Sequence, residues 1–183
     1  MTTPRTAPFY PWVAIPEADW NAMVEVGAAQ QRRTERARHG LVYRKDSNFV
    51  GLCGEWCYAS LCALDWSPGG FYDGGTDFPH VDVKTAPVER RASHVFANRE
   101  STALNKASLY FQAVVDLEQR LVQPCGYATR EMLNNGREYN MPFGVRRGVH
   151  FSDLLTADEL LAQLLAGRDI NRLGGYQPDR PMV

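Results

Sequence analysis

Two aspartates and a lysine stand close together in the segment GGTDFPHVDVKT, residues 74–85. Asp82 and Lys84 are two positions apart in a stretch that reads as a strand, and Asp77 precedes them across a short turn. Side chains alternate in direction along a strand, so Asp82 and Lys84 share one face. Magnesium in proteins prefers one or two carboxylates together with water and phosphate oxygens. The segment therefore predicts a site for a divalent cation.

A tight turn at Pro79–His80 would bring the two aspartates face to face. Phe78 would then pair with Val81, and Asp77 would lie opposite Asp82 with Cβ atoms about 4.5–5.5 Å apart. Like charges at opposed positions destabilise a hairpin, and a cation between them reverses that effect. Proline at the first turn position does not suit the I′ or II′ turns that two-residue loops prefer, so this pairing is a hypothesis.

A third carboxylate lies in the apolar stretch VGLCGEWCYASLCAL, residues 50–64, which predicts a buried helix. Glu55 is its only charged residue, and a lone carboxylate on a buried helix is costly unless it is paired or faces a metal. One interpretation is an ion pair with an arginine. The other is that Glu55 points at the open end of the hairpin and completes an acidic pocket that holds one lysine.

The elements that must position these residues follow from the hydrophobic pattern. Apolar residues at helical spacing predict a first helix from Pro16 to Gly40, and Thr156 with Glu159 forms a capping box for a last one. The order is helix, helix, a run of strands, then helix, which indicates an α/β (α+β) fold with a mixed central sheet of about four or more strands flanked by helices. The intervening segments predicted as strands are 81–85, 93–98, 108–116 and 120–128, with a short helix over 128–133.

Composition limits the class of protein. A chain of 183 residues predicts one domain over 1–183, with residues 1–16 as a loose lead and 175–183 as a loose tail. Without an apolar run of membrane-spanning length or a signal peptide, the chain is expected in the cytoplasm with no membrane partner. Four cysteines without C-x-x-C spacing predict buried free thiols, and a net charge of −1 argues against bulk electrostatic coating of nucleic acid.

Taken together, these residues form a pattern that resembles the PD-(D/E)XK nuclease superfamily. The pattern consists of Gly54-Glu55 in a helix, then Asp77, then Asp82-Val83-Lys84 in a strand. The likeness is to its small phage-encoded members, which share a GE…GxDF…DVKT layout, and it is strongest over 51–86. It implies a restriction-endonuclease-like fold, with a four-stranded mixed sheet between helices. It also implies a nuclease, a hydrolase of phosphodiester bonds that uses Mg²⁺ or Mn²⁺, located in the host cytoplasm if the chain is phage-encoded.

The resemblance also implies roles for individual residues. Asp77 and Asp82 would hold the metal, together with the main-chain carbonyl of Val83. Glu55 would bind the metal directly or through water. Lys84 would orient the attacking water and offset the charge that grows on the scissile phosphate.

Nucleic acid is the implied partner, with DNA first and RNA as the other option. Arg90 and Arg91 follow the catalytic strand closely enough to reach a phosphate backbone, and residues 32–45 form a second basic run. Either basic run is also explained as a solvated face. A different class of function stays open, a non-catalytic nucleic-acid-binding or assembly protein on the same fold, as does an RNA-directed or modification-related enzyme.

Overall fold

The computed structural model describes residues 10–37, 47–68, 76–90, 94–98, 107–141 and 144–165. Two sheets and four helices make up these residues. The first sheet contains β1 (Val13–Ala14), β2 (Val81–Pro87), β4 (Leu109–Asp116) and β5 (Leu121–Thr129), and the second contains β3 (His94–Asn98), β6 (Arg137–Met141) and β7 (Gly144–His150). The helices are α1 (Glu17–Ala37), α2 (Ser47–Leu61), α3 (Arg130–Asn134) and α4 (Ala157–Leu165).

The first sheet is mixed, as predicted, with strand order β1-β5-β4-β2. Strand β2 runs parallel to β4, whereas β5 is antiparallel to both β4 and β1. Every residue of β4 from Leu109 to Val115 is buried, because this strand has a neighbour on each side and a packed layer on each face. Strand β2 is therefore an edge strand among the described elements, with its outer edge turned away from β4.

Helix α2 covers one face of this sheet. Its residues Cys53, Trp56 and Cys57 are buried in one cluster with Val83 and Phe111. The valines of β2 thus face a helix, as strand alternation predicts, which leaves Asp82 and Lys84 on the opposite face. Helix α1 packs on α2 through the edge-to-face rings of Trp20 and Phe49, whose centroids are 4.8 Å apart, and the Trp56 indole N–H donates to Asp19 at 2.9 Å.

The second sheet lies on the opposite face of the first. Val95 of β3 and Val149 of β7 share a buried cluster with Tyr110 and Val114 of β4 and with Leu133 of α3. The face of the first sheet that carries Asp82 is therefore covered by this cluster at one end. The chain forms two hydrophobic layers with β4 and β5 between them.

Several sequence predictions are confirmed at the level of elements. Helices α1 and α2, strands β2 to β5 and helix α3 lie where the pattern indicates, within a few residues at their ends. At the start of α4, Thr156 accepts from the Glu159 N–H at 3.1 Å and the Glu159 carboxylate accepts from the Thr156 N–H at 2.8 Å, which is the predicted capping box.

The sequence interpretation missed three strands. It placed no element in the segment that forms β6 and β7, because REYNM and GVRRGVH carry charged residues and glycines rather than a clear apolar alternation. It also assigned residues 1–16 to a loose lead, within which Val13–Ala14 pairs with β5 as β1 and Ile15 is buried. Residues 1–9 and 175–183 lie outside the described part of the chain.

The state of the cysteines and the length of the apolar helices bear on the class of protein. None of the four cysteines forms a disulfide in the described structure, and Cys53, Cys57 and Cys125 are buried as predicted, whereas Cys62 is exposed beyond the end of α2. In the described ranges, no helix has the length and apolar character needed to cross a lipid bilayer.

Two glycines of α2 give a matched test of how closely this helix packs on β2. A Cβ at Gly54 would overlap the Thr85 hydroxyl and lie 3.0 Å from a Val83 methyl, whereas a Cβ at Gly51 would meet nothing within 4 Å. We expect Gly54→Ala to lower the free energy of unfolding by about 1–3 kcal/mol through overpacking. Gly51→Ala should raise it by about 0.5–1 kcal/mol through helix propensity. Urea titration measures both, and equal effects would contradict this packing.

Candidate functional site

The turn that precedes β2 has the predicted register. Phe78 and Val81 exchange both backbone hydrogen bonds, each at 3.0 Å, so Pro79 and His80 are the two loop residues. His80 has a φ of 65°, and proline fixes its own φ near −65°, so the pair follows the type II pattern rather than I′ or II′. Two backbone bonds hold His80 in this conformation, since its carbonyl accepts from the N–H groups of Ser108 and Leu109 at 2.8 and 3.0 Å.

This turn brings Asp77 and Asp82 together. The two carboxyl groups share a hydrogen bond, and Oδ2 of Asp77 also accepts from the Val83 N–H at 2.7 Å. Burial raises the pKa of Asp77 to about 7, with the Asp82 carboxylate as the next cause and Lys84 as a weaker opposing one. The Asp77 carboxyl group therefore exchanges its proton near neutral pH.

Glu55 faces the same two aspartates from α2. Burial raises the pKa of Glu55 to about 8, the Asp77 carboxylate adds to the rise, and a hydrogen bond from Trp66 opposes it. Among the described residues, no lysine or arginine forms an ion pair with Glu55 within 4 Å. Both interpretations of Glu55, the acidic pocket and the arginine pair, stay predictions. Trp66 was not foreseen as a partner, because nothing in its spacing distinguishes it from a core tryptophan.

Lys84 is the cation of the pocket. Its Nζ lies 2.7 Å from Oδ2 of Asp82, and its side chain is 35% exposed against 11% for that of Asp82. The ammonium group therefore has access to solvent while its carboxylate partner is enclosed. An ion pair at this degree of exposure contributes little to stability, so its value lies in placing one positive charge beside three acids.

Strand β4 supplies the floor of the pocket. In the parallel register, Tyr110 lies beside Asp82 and Gln112 beside Lys84, and both side chains are buried. Burial raises the pKa of Tyr110 to about 12, and the neighbouring Arg130 opposes this rise. The Arg130 Nε in turn donates to the Ala107 carbonyl at 2.7 Å. Tyr110 and Gln112 become neighbours of Asp82 and Lys84 only through the pairing of β4 with β2. No residue pattern in the sequence specifies that pairing.

The ligand atoms that these acids offer are chemically suited to a hard divalent cation. Two opposed carboxylates and a nearby glutamate are oxygen ligands of the kind that Mg²⁺ and Mn²⁺ take. The N–H of Val83 points to Asp77 rather than to β4, and in an extended strand the carbonyl of the same residue points to the same edge. Val83 therefore directs its carbonyl oxygen toward the side on which Asp77 lies.

The side chains do not form a ready ligand set as they stand. Within the described ranges, no three His, Cys, Asp or Glu side chains are grouped closely enough to hold a metal ion. Asp82 is engaged by Asp77 through a hydrogen bond and by Lys84 through an ion pair, so a cation that bound its carboxylate would have to replace these contacts.

The proposed phosphate contacts are only partly described. Arg91 lies outside the described residues, and Arg90 closes the 3-10 turn Val88–Arg90 with no description of its side chain. Of the basic run 32–45, residues 38–45 lie outside the described ranges and Arg32 is exposed on α1. Searches against known proteins find no matching family model, no similar curated protein and no similar solved structure.

The pKa values of the two acids predict how stability depends on pH in chelator. Asp77 and Glu55 have folded pKa values of about 7 and 8 against ordinary values of 3.8 and 4.5, so the folded protein binds more protons than the unfolded chain between these limits. Their contribution to stability is complete below about pH 4 and is lost as pH rises through 7 and 8.

We therefore expect the free energy of unfolding to fall between pH 5 and about pH 8.5, by on the order of 1.4 kcal/mol for each unit of raised pKa. Glu55→Gln should reduce this fall and should be more stable than the wild type at the upper pH. Denaturant titrations across the pH range in EDTA measure it. A Glu55→Gln profile parallel to that of the wild type would contradict the buried acid.

Proposed function

We propose that this protein is a metal-dependent nuclease that hydrolyses phosphodiester bonds, with DNA as its substrate and Mg²⁺ or Mn²⁺ as its cofactor. The observation that carries the proposal is the contact of Asp82 with both Asp77 and Lys84 at the edge strand of a mixed sheet, with Glu55 of α2 near enough to interact electrostatically with both aspartates. It agrees with the resemblance to PD-(D/E)XK nucleases and their restriction-endonuclease-like fold. A fold whose only purpose was stability would gain by replacing one of the opposed aspartates.

Each residue has a role that its environment supports. Asp77, Asp82 and the Val83 carbonyl would hold the cation, and Glu55 would bind it directly or through water. When bound, the cation lowers the pKa of water and stabilises the negative charge that develops on the phosphate. Lys84, with its exposed ammonium group, would hold the attacking water in line and donate hydrogen bonds to the phosphate oxygens.

The raised pKa values suit this chemistry. A carboxyl group with a pKa of about 7 or 8 exchanges its proton near neutral pH, so it can accept a proton from water, or release its proton to solvent when a cation binds. Tyr110 and Gln112 would limit the rotation of Asp82 and Lys84 from below, because both are buried in the central strand. Arg90 and Arg91 would contact the phosphate backbone.

The direct test is cleavage of linear, circular and single-stranded DNA, and of RNA, in Mg²⁺, Mn²⁺ or EDTA. We expect cleavage that requires the metal and falls at least about 100-fold in Asp82→Asn and Lys84→Met, the scale on which metal and electrostatic groups act. Asp116→Asn is the matched control, because Asp116 caps a turn at the far end of β4 with bonds to Glu118 and Gln119. Cleavage that continues in EDTA, or in both site variants, would rule out this assignment.

Thermal stability separates metal binding from catalysis. At pH 8, Mg²⁺ should raise the melting temperature, because a ligand that binds only the folded state stabilises it by RT ln(1 + [L]/Kd). The rise should be absent in Asp82→Asn and retained in Asp116→Asn. The Lys84–Asp82 ion pair favours a second candidate, a non-catalytic nucleic-acid-binding or assembly protein whose acids form a charge network. A melting temperature that does not respond to Mg²⁺ or Mn²⁺ would support that candidate.

A further inference from the structure

The second sheet presents a basic outer face that the catalytic proposal does not use. Tyr139 of β6 pairs with Arg146 of β7, and Arg137 pairs with Gly148, so these four residues share one face. Val149 belongs to the other face and is buried in the core. We call the face formed by Arg137, Tyr139, Arg146 and Gly148 the arginine–tyrosine face.

Within the described ranges, the two arginines of this face have no acidic partner. Neither Arg137 nor Arg146 forms an ion pair within 4 Å among the described residues, and the buried Nε of Arg146 has no described acceptor. On the opposite face, Arg147 lies 3.3 Å from Glu138 and donates to the Asn134 carbonyl at 2.7 Å. Three arginines of one hairpin are thus divided into one that is paired and two that are available to an anion.

An aromatic ring lies beside both arginines, because Tyr139 is two positions from Arg137 on β6 and is paired with Arg146 of β7. The Arg137 guanidinium lies over the Tyr139 ring, 5.6 Å from its centroid, a cation–π contact that we call the Arg137–Tyr139 stack. Arg137 is exposed and Tyr139 is half-buried, so the stack is reached from solvent. Unpaired nucleobases stack on tyrosine rings and on arginine planes, whereas the bases of a duplex are already stacked on one another.

A cleft adjoins this stack. Its volume is about 420 Å³, within the range of roughly 300–1,000 Å³ of ligand sites, and Gly148 opens its floor by presenting no side chain. The lining includes Asn135, Arg137, Tyr139, Gly148, His150 and Asp153. Asp153 is the one carboxylate among these lining residues, and the rest of the wall is neutral or basic.

We propose that the arginine–tyrosine face binds a single-stranded nucleic acid, with one base on the Arg137–Tyr139 stack and phosphates at Arg137 and Arg146. Charge complementarity selects a polyanion, and the flat stack beside a cleft selects an unpaired strand over a duplex. The inference rests on the proposed function only in taking the bound strand to be substrate. It assigns to the second sheet the strand-holding role that the pocket at β2, with three acids and one lysine, does not provide.

The test is fluorescence anisotropy of a labelled oligodeoxythymidylate titrated with the full chain in EDTA, at several salt concentrations. Arg137→Ala and Arg146→Ala should each flatten the slope of log K against log salt by about 0.7, the value for one single-strand phosphate contact. Arg147→Ala removes the same charge from the same hairpin on the other face and should leave the slope unchanged. An equal loss of slope in all three would mean nonspecific attraction and would overturn the proposal.

The ring is tested separately. Tyr139→Ala should weaken binding about tenfold, and Tyr139→Phe should stay within about twofold of the wild type, because stacking needs the ring and not the hydroxyl. Circular dichroism and melting temperature establish that each variant is folded. If Tyr139→Ala does not fold, the variant of the exposed Arg137 still tests the proposal. Wild-type protein that does not bind the oligonucleotide, or that binds a duplex more tightly, would overturn the proposal.

The two proposals fail independently. If DNA is cleaved with Mg²⁺ while the variants of this face bind like the wild type, the strand site is wrong and the nuclease stands. If the oligonucleotide binds through Arg137, Tyr139 and Arg146 but no substrate is cleaved, the nuclease is wrong and the strand site stands.

Discussion

The opposition of Asp77 and Asp82 across a two-residue turn is the constraint on which the candidate site depends. Two carboxylates at this spacing cannot both be charged without a cost, and burial together with the Asp82 carboxylate raises the pKa of Asp77 to about 7. The same geometry therefore explains the raised pKa of Asp77 and is the starting point of the metal proposal.

Holding two acids in this position requires a rigid support, and the fold provides it on three sides. The His80 carbonyl anchors the turn to the start of β4 through two hydrogen bonds. Helix α2 presses Gly54 onto Thr85 and Val83, which fixes the face of β2 opposite the acids. Lys84 offsets one charge without enclosing the pocket. These contacts hold the two carboxyl groups together although two carboxylates at this spacing repel each other.

The sequence predicts the parts of this arrangement that depend on short-range geometry. Strand alternation places Asp82 with Lys84, and the Phe78–Val81 pairing follows from a turn at Pro79–His80. The turn type was beyond such reasoning, because His80 tolerates a positive φ through hydrogen bonds to Ser108 and Leu109, nearly thirty residues away.

The second sheet was missed for a related reason. Strands β6 and β7 have little apolar alternation because one face carries arginines and a tyrosine, so hydrophobic periodicity does not detect them. Their stability comes from pairing and from Val149, whose burial against Leu133 depends on the tertiary fold. The partner of Glu55 was missed as well, since Trp66 lies beyond the end of α2 and no spacing in the sequence pairs it with Glu55.

An exposed edge strand is normally a liability, because its unpaired N–H and C=O groups can pair with another chain. Strand β2 ends the described sheet, and its outer edge is the one that bears the candidate site. The Asp77 carboxyl group accepts a hydrogen bond from the Val83 N–H on that edge, and Phe78 forms hydrogen bonds with both backbone groups of Val81. The hairpin that brings in the second aspartate thus also caps the edge. It leaves the Val83 carbonyl directed toward the side of Asp77, so protection of the strand and assembly of the candidate site have one structural cause.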